Sequence, residues 1–112
     1  SDMRELEVSQ DAQAQLAIDL FVDRIVRETG AMAAGMQGLD AIVFTGGIGE
    51  HAAEVRRRVC LQSEWLGIRV NPEANARHEL RISAGNSSVD VLVIPTNEEW
   101  MIAHHAQNLL GL

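Results

Sequence analysis

Two apolar runs stand out along the chain, because elsewhere apolar and polar residues alternate or recur at helical spacing. Ala41 to Phe44 is uninterrupted, and Val89 to Ile94 contains a single acid and is ended by Pro95. Short runs of this kind, rich in β-branched residues, are typical of strands that are covered on both faces, as in a parallel sheet. A third strand is predicted over residues 65–70, where Asn71-Pro72 closes it.

Apolar residues at helical spacing predict three helices. The first begins with Ser9 or Asp11 as its N-cap and runs to about Met36, while the polar residues before it are expected to fray. Its apolar side is wider than one core stripe requires, so we expect neighbours on more than one side of this helix. The other two helices are predicted over residues 50–62 and 97–110.

The order of these elements predicts the fold class. Strands alternate with helices, which indicates an α/β layer fold with parallel strand pairing. Residues 72–88 are polar and irregular in pattern, and we interpret them as a surface excursion. On the polar face of the first helix, Asp23 and Arg27 have the favourable spacing for an ion pair.

Composition excludes several classes of partner. The 112 residues carry nine arginines, no lysine and 16 acids, and this net charge of −7 argues against nucleic acid or an anionic membrane as partner. No segment approaches the roughly 18 apolar residues of a membrane span, and no signal-peptide pattern is present, so we expect a cytoplasmic protein. The basic cluster Arg56 to Arg58 is interpreted as the solvated face of a helix. Cys60 is the single cysteine, which excludes an internal disulfide and favours a packing role.

The glycine-rich stretch Gly46 to Gly49, between the first strand and the second helix, is a candidate ligand site. A strand, a glycine turn and a helix together let a ligand approach bare backbone at the carboxyl end of a parallel strand. Glycine permits positive φ angles and removes the Cβ atoms that would hold a nucleotide away. The alternative is that these glycines only turn the chain.

Two classes of ligand are compatible with this turn. Gly47, Gly49 and Ala52 fit the looser dinucleotide fingerprint, in which an acid about 20 residues later holds the ribose, and Glu73 lies near that place. Glu73 follows a proline, however, and does not end a strand as the ribose contact requires. The other class is a mononucleotide site, with an adenosine at the glycine turn and a metal ion at Glu98.

Glu98 is the candidate metal ligand because its neighbour has another role. Thr96 and Glu99 have the spacing of a capping box, in which each side chain satisfies a backbone donor of the other. Glu98 has no such role and follows a predicted parallel strand, where a carboxylate could bind a divalent metal directly or through water. A first-turn acid favoured by the helix dipole is the alternative interpretation. We find no paired nucleophile and base, so no catalytic residue is predicted in this chain.

Three segments together resemble a known family. Residues 1–7 (SDMRELE), 43–50 (VFTGGIGE) and 93–99 (VIPTNEE) strongly resemble, in the same order, the carboxyl-terminal part of acetate kinase. Residues 70–75 also look like the linker that follows the short strand in that family. The resemblance implies a partial α/β domain of the ribonuclease-H-like sugar kinase, Hsc70 and actin superfamily, with mostly parallel strands and flanking helices. Residues 1–112 would form a single domain, the carboxyl-terminal fragment of an acetate kinase-like enzyme.

The resemblance also implies a nucleotide site. Acetate kinases transfer phosphate between ATP and acetate, giving acetyl phosphate, with magnesium. By position, the residues that match the family's nucleotide-contacting segment and adenosine-binding turn are Asp2, Met3, Arg4, Gly47, Ile48, Gly49, Glu50 and His51. Glu98 matches the magnesium ligand. His51 departs from the family, which commonly has asparagine at this position.

Further expectations concern activity and assembly. The family's acid-binding pocket and its catalytic residues lie upstream of these motifs. ATP or ADP and Mg²⁺ are therefore the ligands expected at the matching residues, while this chain alone, as half of a cleft that can hold a nucleotide only weakly, is expected not to turn over. The small carboxylic acid of the intact enzyme would be acetate or propionate. Because the family dimerises through this half, a homodimer is expected. The alternatives are a Rossmann-like dinucleotide-binding domain and a non-catalytic α/β dimerisation module.

Overall fold

The computed structural model describes the backbone of residues 2–46 and 51–95, and the side chains of residues 10–46 and 51–95. The chain divides into two compact units, Ser1–Gly38 and Leu39–Leu112, and each is described by itself. In the part of the chain described, no helix has both the length and the apolar content needed to cross a bilayer.

The first unit is one helix, α1, over Asp2–Met36. The predicted start at Ser9 or Asp11 is wrong, because the helix begins at Asp2. The preceding residues are mostly good helix formers with no glycine or proline, so a capping residue inside the run does not interrupt it. The predicted end is confirmed: Gln37 and Gly38 have positive φ angles of 62° and 132°, and the Gly38 amide donates to the Ala33 carbonyl at 2.8 Å.

Exposure along α1 defines one narrow buried stripe. Val22, Thr29 and Ala33 are buried, whereas large apolar side chains on other faces are exposed (Leu16, Leu20, Phe21, Met32 and Met36). The prediction that α1 has neighbours on more than one side is therefore wrong for the described residues. A wide apolar surface indicates which faces could be covered, but other elements must be present to cover them. The predicted ion pair is confirmed, with Arg27 Nε 2.8 Å from Asp23 Oδ2.

The second unit is organised around two strands. Strand β1 (Ala41–Thr45) and strand β2 (Asp90–Ile94) pair in parallel, with Ala41 opposite Asp90 and Thr45 opposite Ile94. Both strands and their parallel pairing are confirmed. On the other edge of β2, residues 80–83 run antiparallel: the Ile82 amide donates to the Val91 carbonyl at 2.9 Å, and the Val93 amide donates to the Leu80 carbonyl at 2.8 Å. Among the described residues, β2 is therefore central and β1 lies at the edge.

The expectation that both strands are covered on two faces is wrong for β1. Its residues alternate between exposed and half-buried: Ile42 and Phe44 pack against the core, and Val43 is 46% exposed. In β2, Val91 and Val93 are buried. An apolar run allows burial on both faces, but only neighbouring elements provide it.

The segment from Ser63 to Val70 differs from the sequence prediction. Instead of a strand over residues 65–70, Glu64–Leu66 form a turn of 3₁₀ helix that ends at Gly67, whose φ of 93° is left-handed. Only Val70 reaches an extended partner, Ser83, through an isolated antiparallel bridge. A strand cannot run through Gly67, because its left-handed conformation ends the 3₁₀ turn at this point.

Residues 72–88 are more ordered than a surface excursion. They begin with a short helix, α3, over Pro72–Ala76. Helix α2 precedes it in the chain and covers Ala52–Gln62. Asn71 caps α3, because its Oδ1 accepts from the amides of Glu73 at 3.0 Å and Ala74 at 3.1 Å. Ile82 is fully buried. Proline and asparagine therefore begin a helix here, as they commonly do at N1 and N-cap positions.

The core of the second unit is formed by α2, α3, β2 and the segments that contain Ile68, Ile82 and Val89. Its buried members are Cys60, Ile68, Ala74, Ile82, Val89, Val91 and Val93. The packing role predicted for Cys60 is confirmed, and burial raises the pKa of its thiol to about 11.

Candidate functional site

The site predicted from the sequence lies at the carboxyl end of β1. Strand β1 ends at Thr45, Gly46 follows with a left-handed φ of 65°, and α2 begins at Ala52. The predicted order of strand, glycine and helix is confirmed on both sides of the turn, and Gly46 has the positive φ expected of the turn glycines. Residues 47–50, which include the site residues Gly47, Ile48, Gly49 and Glu50, lie outside the described residues.

His51 is the predicted nucleotide-contacting residue whose side chain is described. It occupies the N-cap position of α2, where its carbonyl accepts from the Val55 amide at 3.0 Å. Its exposed side chain makes no capping hydrogen bond to the helix. The first turn of α2 therefore begins without the side-chain cap that usually satisfies its amides.

The remaining predicted residues are placed only in part. The backbone of Asp2, Met3 and Arg4 forms the start of α1, in the first unit. Glu98, and with it the capping box of Thr96 and Glu99, lies outside the described residues. In the parts of the chain that are described, no group of three or more His, Cys, Asp or Glu side chains is arranged to hold a metal ion.

Charge near the start of α2 is balanced. Glu54, in the first turn, accepts two hydrogen bonds from Arg57, at 3.0 Å from Nε and 2.6 Å from Nη2. The bond from Arg57 lowers the pKa of the Glu54 carboxyl, so the glutamate is ionised and paired. A phosphate approaching this turn would therefore meet a neutralised acid and the positive end of the helix dipole.

Sequence reasoning missed Arg56. The sequence predicts that Arg56 lies on a solvated face of the helix, but in the structure the residue is only 4% exposed. Its Nε donates to Asn75 Oδ1 at 2.7 Å, and its Nη2 donates to the Asn75 carbonyl at 3.0 Å and lies 2.7 Å from His78 Nδ1. The available signal was helical spacing, because Arg56 precedes the buried Val59 and Cys60 by three and four positions and so shares their face.

The environment of Arg56 is polar but neutral in its described contacts. An amide, a carbonyl and an imidazole receive its donors, and burial lowers the pKa of the guanidinium below its usual range. Because a guanidinium can only donate, His78 Nδ1 must accept, which places the imidazole proton on Nε2. Asn75 also reaches α2 directly, since its Nδ2 donates to the Ala53 carbonyl at 2.8 Å.

The position of Glu73 argues against a dinucleotide site. Glu73 lies exposed in the first turn of α3, where its amide donates to the Asn71 cap. A ribose-binding acid of the dinucleotide fold follows a strand of the sheet. No observation in the described residues supports that alternative.

An open cavity of about 420 Å³ lies elsewhere in the second unit. Its walls come from the carboxyl-terminal half of α2, the 3₁₀ turn and the loops before and after α3, and include Leu61, Glu64, Arg69 and Asn86. Neither Gly46 nor His51 lines it, so this cavity is separate from the candidate nucleotide site.

Comparison with known proteins gives consistent matches along the chain. The Acetokinase family matches residues 1–104. Acetate kinase of Rhodopseudomonas palustris (strain TIE-1) is 57% identical over 110 residues, which cover 96% of this chain and 28% of the relative. Acetate kinase of Nitrobacter hamburgensis is 51% identical over 110 residues, which cover 98% of this chain and 27% of the relative. The chain thus spans little more than a quarter of these relatives.

Solved structures match in the same way. Acetate kinase of Porphyromonas gingivalis superimposes with a TM-score of 0.69 at 40% identity, covering 87% of this chain and 25% of that structure. A propionate kinase of Francisella tularensis superimposes with a TM-score of 0.68 at 38% identity, covering 93% and 27%. These similarities confirm the predicted fold class, a partial ribonuclease-H-like α/β domain of the sugar kinase, Hsc70 and actin type.

Proposed function

This chain belongs to the acetokinase family, and we propose that it supplies the nucleotide-binding part of an acetate kinase-like phosphotransferase. In the intact enzyme this part would bind ATP or ADP with Mg²⁺, while acetyl phosphate is made from acetate and ATP. The main support is the start of the second unit, where β1, the left-handed Gly46 and α2 follow one another at the carboxyl end of a parallel strand. Ligands bind at this edge in open α/β sheets.

The residues proposed to contact nucleotide are those that match the family's motifs by position: Asp2, Met3, Arg4, Gly47, Ile48, Gly49, Glu50 and His51. The paired state of Glu54 supports this proposal, because an unpaired acid in the first turn of α2 would repel a phosphate. His51 exposes an imidazole at the N-cap position that could hydrogen-bond the nucleotide.

Glu98 is proposed as the magnesium ligand. Carboxylate oxygens are the ligands that Mg²⁺ prefers, and the ion usually keeps several waters while bridging one or two carboxylates to substrate phosphates. When bound, Mg²⁺ would neutralise phosphate charge during transfer. The part of this chain would be to place one carboxylate after β2, the strand that pairs with β1.

The 112-residue chain alone is proposed to be inactive. Phosphoryl transfer depends on positioning and charge neutralisation from several sides of a cleft, and this chain spans 28% of a related acetate kinase. We place it in the carboxyl-terminal part of a longer cytoplasmic enzyme, as a single domain, and assign the catalytic residues to the rest of that enzyme. ATP formation from acetyl phosphate and ADP by the pure chain would contradict this proposal.

The proposed phosphoryl acceptor is either acetate or propionate, because kinases named for each acid are similar to this chain.

Assembly as a homodimer is proposed from the exposed apolar side chains of α1, which include Leu16, Leu20 and Met32. Light scattering at high protein concentration measures this directly, and a clean monomer would argue against it.

The nucleotide proposal is tested by titrating the ¹⁵N-labelled chain with magnesium-ADP and, in a separate sample, with NADH. We expect ADP to shift the amide signals of residues 46–51 and NADH to leave them unchanged. The variant Glu98→Gln is the matched control, because it keeps size and polarity while removing the charge that binds the metal, so its shifts should not depend on Mg²⁺. Shifts with NADH alone would favour a dinucleotide site and overturn the proposal.

A further inference from the structure

A buried polar bridge connects α3 to the first turn of α2. We propose that Asn75 and Arg56 are positioning residues that hold this turn in place directly after the nucleotide-binding residues 47–51. This inference rests on the proposed function, since it assigns a supporting role to residues outside the binding motif itself.

Three hydrogen bonds form the bridge. Arg56 donates to both the side-chain and the main-chain oxygen of Asn75, at 2.7 and 3.0 Å, and each residue is only 4% exposed. The Asn75 Nδ2 donates to the Ala53 carbonyl at 2.8 Å. Because the guanidinium has only donors and the carbonyl only accepts, a flipped amide would face like groups at both ends, so the side chain has one satisfied orientation.

Asn75 is itself fixed by the structure of α3. Its amide donates to the Asn71 carbonyl at 3.0 Å, and the Asn71 side chain caps the same helix. The position from which Asn75 reaches α2 is therefore set by a capped helix. Rigid support of this kind is what holds the residues of a binding site in productive geometry.

The fully buried apolar residues of α2 lie away from its first turn. Ala52 and Ala53 are small and half-buried, whereas the buried Val59 and Cys60 lie toward the other end of the helix. His51 gives no side-chain cap. Helix ends fray unless they are held in place, and the bond from Asn75 to the Ala53 carbonyl ties the first turn of α2 to α3.

The variant Asn75→Asp tests this role. An aspartate still accepts from Arg56, but it cannot donate to Ala53, and it sets an oxygen against that carbonyl. Ser87→Ala is the matched control, because Ser87 Oγ also bonds to a backbone carbonyl, that of Val89 at 2.6 Å, and its described hydrogen bonds join it to Gly67, Arg69 and Val89, which lie outside α2. Arg56→Lys is a second variant, should Asn75→Asp fail to fold, since it keeps the cation but loses the fork that orients the amide.

The first readout is amide hydrogen exchange in the 112-residue chain without ligand. We expect Asn75→Asp to accelerate exchange of the Val55 amide by about tenfold or more relative to Ser63, at the far end of α2. Ser87→Ala should change both amides alike. Equal acceleration of Val55 and Ser63 in Asn75→Asp would overturn the positioning role, because it would reduce the bridge to general stability.

The second readout is the dissociation constant for magnesium-ADP. We expect Asn75→Asp to weaken binding by about fivefold or more, with Ser87→Ala within about twofold of the wild type. Unchanged affinity in Asn75→Asp, with a wild type that binds, would overturn the link between the bridge and the nucleotide. A wild type that does not bind magnesium-ADP would overturn the proposed function and that link, while the exchange data would still decide whether the bridge holds the turn.

Discussion

Replacing Arg56 by methionine removes a buried guanidinium while keeping an unbranched side chain on the same face of α2. The change leaves Asn75 Oδ1 and the Asn75 carbonyl without the donors that now lie 2.7 and 3.0 Å away. His78 is exposed and can turn to water, so its loss of a partner should matter less. Arg57→Met is the matched control, because Arg57 occupies the next position of the same helix but pairs with Glu54 at the surface.

The size of the effect follows from burial. Each buried acceptor left without a donor costs about 1–3 kcal/mol. Relief of the guanidinium's own desolvation, which is the main reason that the pKa of Arg56 is lowered, offsets part of this loss. We therefore expect the free energy of unfolding to fall by about 2–4 kcal/mol. With an m-value of about 1.5 kcal/mol/M, the urea midpoint would fall by about 1.3–2.7 M.

The assay is urea unfolding followed through the amide signals of β2, which report on the second unit itself. Far-ultraviolet circular dichroism of the same samples shows whether α1 unfolds in the same transition. We expect the midpoint of Arg57→Met to stay within error of the wild type, because an exposed ion pair contributes little. Equal midpoints for the two variants would refute the reasoning, since the contrast between buried and exposed arginine would then have no energetic consequence.

Four other outcomes concern the core and backbone of the chain. Because burial raises the pKa of Cys60 to about 11, iodoacetamide at pH 8 should label the folded thiol at least about tenfold more slowly than the urea-unfolded one, and equal rates would contradict this. The unfolded thiol ionises first, so the free energy of unfolding should fall as pH rises from about 9 toward 11, which denaturation at each pH measures against Cys60→Ala. Ile82→Ala should lower the free energy of unfolding, measured in urea, by about 2–5 kcal/mol. Leu80 is 65% exposed, so Leu80→Ala should change this free energy by less than about 0.5 kcal/mol. Similar losses in the two variants would refute the assigned burial of Ile82. Gly67→Ala should destabilise the second unit by about 1–3 kcal/mol, because Gly67 has a φ of 93°. Gly35→Ala is the control: Gly35 lies inside α1 with open space around it, so alanine there should stabilise the first unit. Thermal melts in which Gly67→Ala is neutral would contradict this prediction.

Elements with a local signal were predictable from the sequence. The two strands, their parallel pairing and the end of α1 each depend on a short apolar run or on a nearby glycine, and the structure confirms them. The predicted strand over residues 65–70 failed because Gly67 adopts a left-handed conformation, which an apolar pattern does not reveal. In the same way, the predicted start of α1 is too late, because capping residues also occur inside helices.

Contacts between distant residues were not predictable. Three consecutive arginines point in three directions around a helix, and only the position of Val59 and Cys60 indicates that Arg56 faces inward. Its partner Asn75 is 19 residues away, in a segment that looks polar and irregular. A buried polar residue needs a satisfied partner, and an unaligned sequence does not indicate which asparagine provides it.

The candidate site was predictable in its order but not in its support. Gly46 and the start of α2 lie where strand, glycine and helix were expected, and family motifs supplied the residues of the turn. The bridge from Asn75 to Ala53 has no motif of its own. Such supporting contacts depend on how α3 packs against α2, which only the three-dimensional structure reveals.

The parallel pairing of β1 and β2 also has a consequence for the order of folding. The two strands are separated in the chain by α2, α3 and residues 80–83, so their pairing loses loop-closure entropy before it gains hydrogen bonds. Residues 80–83 meet β2 across a much shorter loop. In a refolding experiment with pulsed hydrogen exchange, the amides shared by residues 80–83 and β2 should gain protection first, and those of β1 last. The end of β1 would then reach its final place only as the second unit completes its fold.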